Sequence, residues 1–239
     1  MSKSILESPE YLNVTYSEEK APYGKYPFLF GKYLLKNIYK QPGKILDLGC
    51  GRGEYIKVFS DLGFKPAGLD ISPKILEYSS DYDVAVANLE NGEAPTKENS
   101  YDFVFSKSVI EHMRDPMGLL NISYKSLKPG GKAVIMTPSW VHNYKHAFYI
   151  DHTHVTPFTK TSLYDALKMA GYQDIQVMYF YQLPAIWKFP WLKYLSKIIS
   201  FIPTPYAPLN DVPWSVSNGL NKYVRFSKEV MLMAVAKKC

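Results

Sequence analysis

Short apolar runs recur along the chain with helical stretches between them. Ile45, Leu46 and Leu48 read as a buried strand, and Phe64 to Leu69 reads as a second. Asp83 to Ala87, Tyr101 to Phe105, Lys132 to Thr137, Tyr172 to Tyr181 and Phe226 to Ala236 supply five more. Helical spacing runs from Pro27 to Lys40, begins again at Glu54, and follows Pro73, with Ser72 as its cap. Further helices run from Pro116 to Leu127, from after Thr159 to Ala170, where Gly171 stops it, and from Pro190 to Ile202. The pattern predicts one large α/β domain with additions.

The first strand leads into Gly49-Cys50-Gly51-Arg52-Gly53 and then into an amphipathic helix. Glycine serves where the backbone turns tightly, takes positive φ or lies against a ligand. The following helix N-terminus offers unpaired N–H groups to a carboxylate or phosphate. A dinucleotide loop, Gly-x-Gly-x-x-Gly, would need glycine where Glu54 stands. A diphosphate would also meet Asp47 and Glu54 at close range, and like charges repel. S-adenosylmethionine (SAM) has no phosphate, and its zwitterionic methionine end uses both an acid and backbone donors. Asp70, closing the second apolar run in Gly68-Leu-Asp-Ile-Ser-Pro73, stands where an acid takes both ribose hydroxyls.

Asp47, Gly49, Gly51, Gly53 and Asp70 together resemble the class I SAM-dependent methyltransferases, from about residue 43 to 171. The resemblance implies a seven-stranded, mostly parallel, doubly wound sheet of order 3-2-1-4-5-7-6. It implies a SAM site built from Asp47, Gly49, Cys50, Gly51, Gly53, Asp70, Ile71, Asn88, Leu89 and Ser106. Asn88 stands where many members have an acid for the adenine amino group, and its carbonyl still accepts. Lys107 and Ser108 join Ser106 beyond the fourth strand, near the sulfonium. A helix ahead of the first strand caps the cofactor in relatives, so Tyr23, Lys25 and Tyr26 are within reach of it or of the acceptor.

Glu111-His112 resembles the Glu-His pair of ubiquinone-type O-methyltransferases, some of which hold a divalent metal. Those enzymes carry another acid where this chain has Ser108, so no metal is expected. Asp151-His-Thr-His-Val-Thr-Pro-Phe158 resembles a segment that lies over the active-site mouth in small-molecule and glycan methyltransferases. His152 and His154 are too close for standard paired zinc ligands, and no cysteine assists. His152, His154 and His112 are the candidate catalytic residues: a neutral imidazole beside the methyl donor takes the acceptor proton, and Asp151 orients it.

Composition adds limits. The chain has 239 residues, 46% of them hydrophobic, and two cysteines that make no disulfide framework, which fits a reducing cytoplasm. The first residues carry acids and no apolar core, so no signal peptide is read, and no apolar run is long enough to span a bilayer. The net charge of +6 suits an anionic partner. The basic residues are spread out, however, and no Asn-Pro-Pro-Tyr-type motif follows the fourth strand, so nucleic acid is the lesser reading. The expected function is methyl transfer from SAM to a small-molecule, glycan-linked or lipid-linked acceptor at a hydroxyl. A SAM-binding module without catalysis is the alternative from another class. The divisions are an N-terminal cap (1–42), a core (43–181), an aromatic-rich insertion (182–225) and a last strand (226–239). Within the insertion, residues 190–202 fit a helix lying in a membrane interface or a lid packed inward, the lid being preferred. The sequence does not specify the acceptor or the oligomeric state.

Overall fold

The computed structural model describes residues 23–144, 148–202 and 219–239. Seven strands form one sheet: β1 (Lys44–Leu48), β2 (Lys65–Asp70), β3 (Asp83–Val86), β4 (Tyr101–Lys107), β5 (Leu127–Pro138), β6 (Gln173–Phe180) and β7 (Met231–Lys237). Their order is 3-2-1-4-5-7-6. All pairs are parallel except those of β7, which runs antiparallel to both β5 and β6. The expected fold and strand order are therefore the observed ones.

β1 shows why its sequence is a nearly continuous apolar run. Leu46 and Leu48 enter one core layer, with Leu119, Leu120, Leu163 and Leu167. Ile45 enters the layer on the other face, with Phe30, Leu34, Phe59 and Phe105. A parallel strand covered on both faces needs apolar residues at successive positions. The first layer is supplied by α4 (Met117–Ser126) and α6 (Lys160–Met169). The second is supplied by α1 (Tyr26–Leu34), which continues as a π-helical turn Leu35–Tyr39, and by α2 (Glu54–Asp61). α3 (Ile75–Tyr78) and α5 (Trp140–Asn143) are single turns. Thr159 caps α6: its hydroxyl accepts from Ser162 N at 3.2 Å, and the Ser162 hydroxyl accepts from Thr159 N at 2.9 Å.

Between β6 and β7 lie α7 (Pro184–Lys188), α8 (Leu192–Ile199) and α9 (Gly219–Lys228). Several boundaries differ from the sequence reading: β5 begins at Leu127 and not at Lys132, and the helix after Pro73 is one turn that Ser72 does not cap. The last strand begins at Met231 and not at Phe226, because Phe226 to Lys228 finish α9. The helix expected over 190–202 is regular only across Leu192–Ile199. α7 is anchored by Trp187, which contacts Tyr26, Phe30, Tyr33 and Phe180 and donates from Nε1 to Tyr181 O at 2.7 Å.

α8 does not follow the inward-packing expectation. Trp191 is 64% exposed, Ile198 65% and Phe201 76%, whereas Ser196 is 3% exposed. The helix turns Ser196 toward the domain, leaves Leu192 and Ile199 half-buried, and turns Tyr194, Leu195 and Ile198 outward. Tyr206, Trp214, Pro203 and Pro205 of the same insertion, and His146, lie outside the described residues. Among the described residues no helix is long and apolar enough to cross a membrane.

Candidate functional site

The glycine loop leaves the carboxyl end of β1. Gly49 N and Cys50 N both donate to Leu69 O, at 2.7 and 3.1 Å, and this bends the chain across the end of β2. Gly49, Gly51 and Gly53 have φ of 79, 53 and 75°. A side chain at Gly49 would overlap Val109, and one at Gly53 would overlap Ser79. Gly51 differs: a Cβ there meets nothing within 4 Å. Two of the glycines therefore allow the loop to pack, and the third leaves its outer face open for a ligand. The Tyr23 ring lies 4.4 Å from the Arg52 guanidinium, which also pairs with Glu54, so the N-terminal segment reaches the loop. Tyr26 is committed elsewhere: it stacks in the aromatic layer, and its hydroxyl approaches Gln182 Oε1 at 3.5 Å.

Asp70 Oδ2 accepts from Gly51 N at 2.8 Å and its Oδ1 from Ser72 N at 2.9 Å. The Ile71 backbone N–H also bonds this carboxylate, which still has acceptor capacity for a ligand hydroxyl. Burial raises the Asp70 pKa against these bonds, and burial together with the Asp70 charge raises that of Asp47 further. The other residues expected around the cofactor divide by what their side chains already do. Cys50 is buried against Ile56 and Ile75, so only its backbone is offered. The Ser106 hydroxyl donates to Leu48 O at 2.8 Å and ties β4 to β1. Asn88 Oδ1 accepts from Glu90 N at 3.0 Å as a cap, and Leu89 is buried in the core. Ile71 is half-buried beside Asp70.

A second polar group lies immediately beyond the loop. Val109 covers Gly49, and the 3₁₀ turn Ile110–His112 follows it. Ser108, just before, is held at φ 59°, a left-handed conformation that is uncommon outside glycine and recurs at functional sites. The segment after β5 folds onto this turn. Val155 N and Thr156 N donate to Glu111 O at 2.9 and 3.0 Å, and the Thr156 hydroxyl donates to Met113 O at 2.5 Å. His154 is thereby placed against His112, with ring centroids 4.6 Å apart.

Glu111 is fully buried. Its Oε2 accepts from the Thr137 hydroxyl at 3.0 Å, and its Oε1 has no hydrogen-bond partner. His154 Nε2 is 4.0 Å from that oxygen. Burial lifts the Glu111 carboxyl to about 7, and burial with the neighbouring His154 lowers His112 to about 4. Burial also lowers His154. Burial opposes ionisation of Asp151, but its two bonds from Thr153 and the nearby histidines hold it below the usual range. Lys107 stands among Glu111, Glu54 and Glu229, its pKa pushed down by burial.

Of the three candidate histidines, His112 and His154 converge, while His152 is exposed on the far side of the same segment. Asp151 does not touch an imidazole directly. It holds the hydroxyl of Thr153, and that hydroxyl meets His112 Nδ1 at 2.8 Å. Thr137 and Thr153 were not legible as site residues, since an isolated threonine carries no distinguishing pattern. His142 lies apart, bonded to Ser139 and packed on Tyr179.

Residues 24–177 match the family model described as a methyltransferase domain. Among curated relatives, the ubiquinone biosynthesis O-methyltransferase of Xanthomonas campestris pv. campestris (strain B100) is 27% identical over 44% of this chain and 47% of its own length. The bifunctional biotin biosynthesis protein BioHC of Cellvibrio japonicus (strain Ueda107) is 32% identical over 54% of this chain and 28% of its own length. The chain thus spans less than half the length of these two relatives. A solved SAM-dependent methyltransferase from Archaeoglobus fulgidus covers 94% of this chain and 98% of its own, with 20% identity and a TM-score of 0.60. A chain from the complex of the Haloferax volcanii Trm112 methyltransferase activator with a methyltransferase covers 99% of both chains, with 18% identity and a TM-score of 0.67.

Proposed function

This chain belongs to the methyltransferase-domain family, and on that premise we propose that it transfers the methyl group of SAM to an oxygen of a small-molecule, glycan-linked or lipid-linked acceptor. The observation that carries the reading is the junction of the two halves of the site. Val109 packs on Gly49 of the loop, and Glu111 and His112, with His154 against them, begin two residues later. A donor on the loop and an acceptor on the cluster would then be neighbours.

In this reading the open face of Gly51 lies against the cofactor, Asp70 takes the ribose hydroxyls with its remaining lone pairs, and Asp47 favours the cationic end of the methionine. Adenine lies beside Asn88 and uses the second lone pair of its Oδ1. Cys50, Leu89 and Ser106 support this surface from beneath. The methyl moves in line from sulfur to oxygen, the sulfur leaving as a neutral thioether, so alignment and exclusion of water dominate. As the oxygen–carbon bond forms the hydroxyl loses its proton, and Glu111, His112 and His154 are the groups placed to manage that charge. The outward apolar face of α8, with Lys193 and Lys197 beside it, supports a contact with an anionic lipid surface that presents the acceptor.

Titration calorimetry with SAM, paired with a methyl-release assay across hydroxylated acceptors, tests the reading. Asp70→Ala should weaken SAM binding by about 2–4 kcal/mol, as a charged acceptor and its abandoned donors are lost. His154→Ala should cut turnover by roughly 10²–10⁴-fold while SAM affinity stays near wild type. Unchanged SAM affinity in folded Asp70→Ala, or full turnover in both His112→Ala and His154→Ala, would place the chemistry elsewhere.

A further inference from the structure

The protons around Glu111, His112 and His154 can be assigned from their partners. The Thr153 hydroxyl donates to Asp151 Oδ1 at 2.5 Å, so towards His112 Nδ1, 2.8 Å away, that oxygen acts as acceptor. His112 therefore carries its proton on Nδ1 and presents a bare Nε2. His154 Nδ1 lies 2.5 Å from the carbonyl oxygen of Phe148, which only accepts, so His154 also holds its proton there and presents a bare Nε2. Glu111 Oε2 accepts from Thr137, leaving Oε1, which has no hydrogen-bond partner and is fully buried. One ligand atom from each of the three residues lies within 4.8 Å of the others. Each side chain is fixed on one side by a partner, and Glu111 Oε1 is left unpaired with His154 Nε2 4.0 Å away. A buried acceptor without a partner is costly, and a cation shared with the neighbouring imidazoles removes the cost.

We infer that Glu111 Oε1, His112 Nε2 and His154 Nε2 form a binding site for one divalent transition-metal ion, of the zinc class, beside the methyl-transfer site. Two imidazoles and one carboxylate, three protein donors in all, is the donor set of a catalytic and not a closed structural site. Thr153–Asp151, the Phe148 carbonyl and Thr137 are the outer partners that fix tautomer and ring orientation in such sites. Donors around zinc at about 2.0–2.2 Å lie roughly 3.4 Å from one another. The pair His154 Nε2 and Glu111 Oε1, at 4.0 Å, needs to close by well under an ångström. The sequence argument against a metal counted the acid missing at Ser108 and the close spacing of His152 and His154; in the structure His154 alone of that pair joins the cluster, from the segment after β5. For the role of the ion the inference rests on the methyl-transfer reading: bound to the acceptor oxygen, it would lower the hydroxyl pKa, and the two histidines would be ligands and not bases.

The test uses the full chain, stripped with chelator and dialysed against zinc and, separately, magnesium, with bound metal counted and cobalt absorption recorded as a second readout. The expected result is about one zinc per chain, little magnesium, and a tetrahedral-type cobalt spectrum. Glu111→Gln and His154→Ala should each lower zinc affinity at least tenfold. Thr153→Val keeps all three ligands and should lower it by about 10–100-fold, which remains informative if Glu111→Gln does not fold. His152→Ala, outside the cluster, should bind zinc as wild type does. No stoichiometric zinc on folded wild type, wild-type affinity in His154→Ala, or preference for magnesium would each overturn the site. SAM titrations on the same samples separate the two readings. Lost SAM binding with zinc intact sinks methyl transfer alone, and lost zinc with SAM intact sinks the metal site alone.

Discussion

Adding one methyl group to the glycine loop should have different effects at neighbouring positions. Gly51→Ala places a Cβ where nothing lies within 4 Å, so the folded protein meets no clash. The remaining cost is conformational. Gly51 has φ 53°, and an alanine held there loses about 1–2 kcal/mol. For a chain of this size that corresponds to a melting temperature lower by roughly 2–8 °C. If the open side is the cofactor side, the methyl intrudes on the ligand as an overpacked contact worth about 1–3 kcal/mol, or roughly 5–150-fold in SAM affinity. Gly49→Ala should behave oppositely, because its Cβ overlaps the Val109 side chain at φ 79°, and the loss falls on folding first. Thermal melts without ligand and calorimetric titrations with SAM on both variants separate the effects. A folded Gly51→Ala protein that binds SAM as tightly as wild type would refute the placement of the cofactor on that face.

Three further outcomes are expected. Trp187→Ala, which empties the contact among Tyr26, Phe30, Tyr33 and Phe180 and abandons the Tyr181 carbonyl, should destabilise the fold by about 2–4 kcal/mol in a urea titration; a change below about half a kcal/mol would show that α7 does not anchor the insertion. Trp191→Glu should leave stability within about 0.5 kcal/mol, since the ring is exposed, and should abolish salt-sensitive sedimentation with anionic vesicles; unfolding of the variant would restore the inward lid. Because Asp47 and Asp70 have raised pKa values, SAM affinity should fall with decreasing pH from above the ordinary aspartate range, as carboxylates needed by the ligand take up protons. In the same window, between the raised folded values and the ordinary value of 3.8, these two groups add stability to the ligand-free protein as pH falls, because the folded state binds the protons first. Affinity that stays flat through that window in calorimetry would remove both acids from the cofactor site.

The elements and the loop were legible because their signals are local. Apolar runs that are buried on both sides, Thr159 ahead of α6 and glycines at alternate positions are all read within a few residues. The strand order followed from resemblance to a family and not from periodicity, which cannot say which strands pair. The details that decide the chemistry were set by contacts between segments distant along the chain. Ser106 and Cys50 were read as cofactor residues, but packing of β4 on β1 and of the loop on α2 used up their side chains. Asn88 kept an acceptor and also spent half of it on a local cap. His152 and His154, two residues apart, were equal candidates until Val155 and Thr156 bonded Glu111 and turned one ring inward and the other to solvent. The outward face of α8 was equally undecided, since an amphipathic pattern specifies two faces and not which one meets the domain. A sequence records which side chains are available; which of them retain a free lone pair and face a common point depends on the backbone hydrogen bonds that tertiary packing completes.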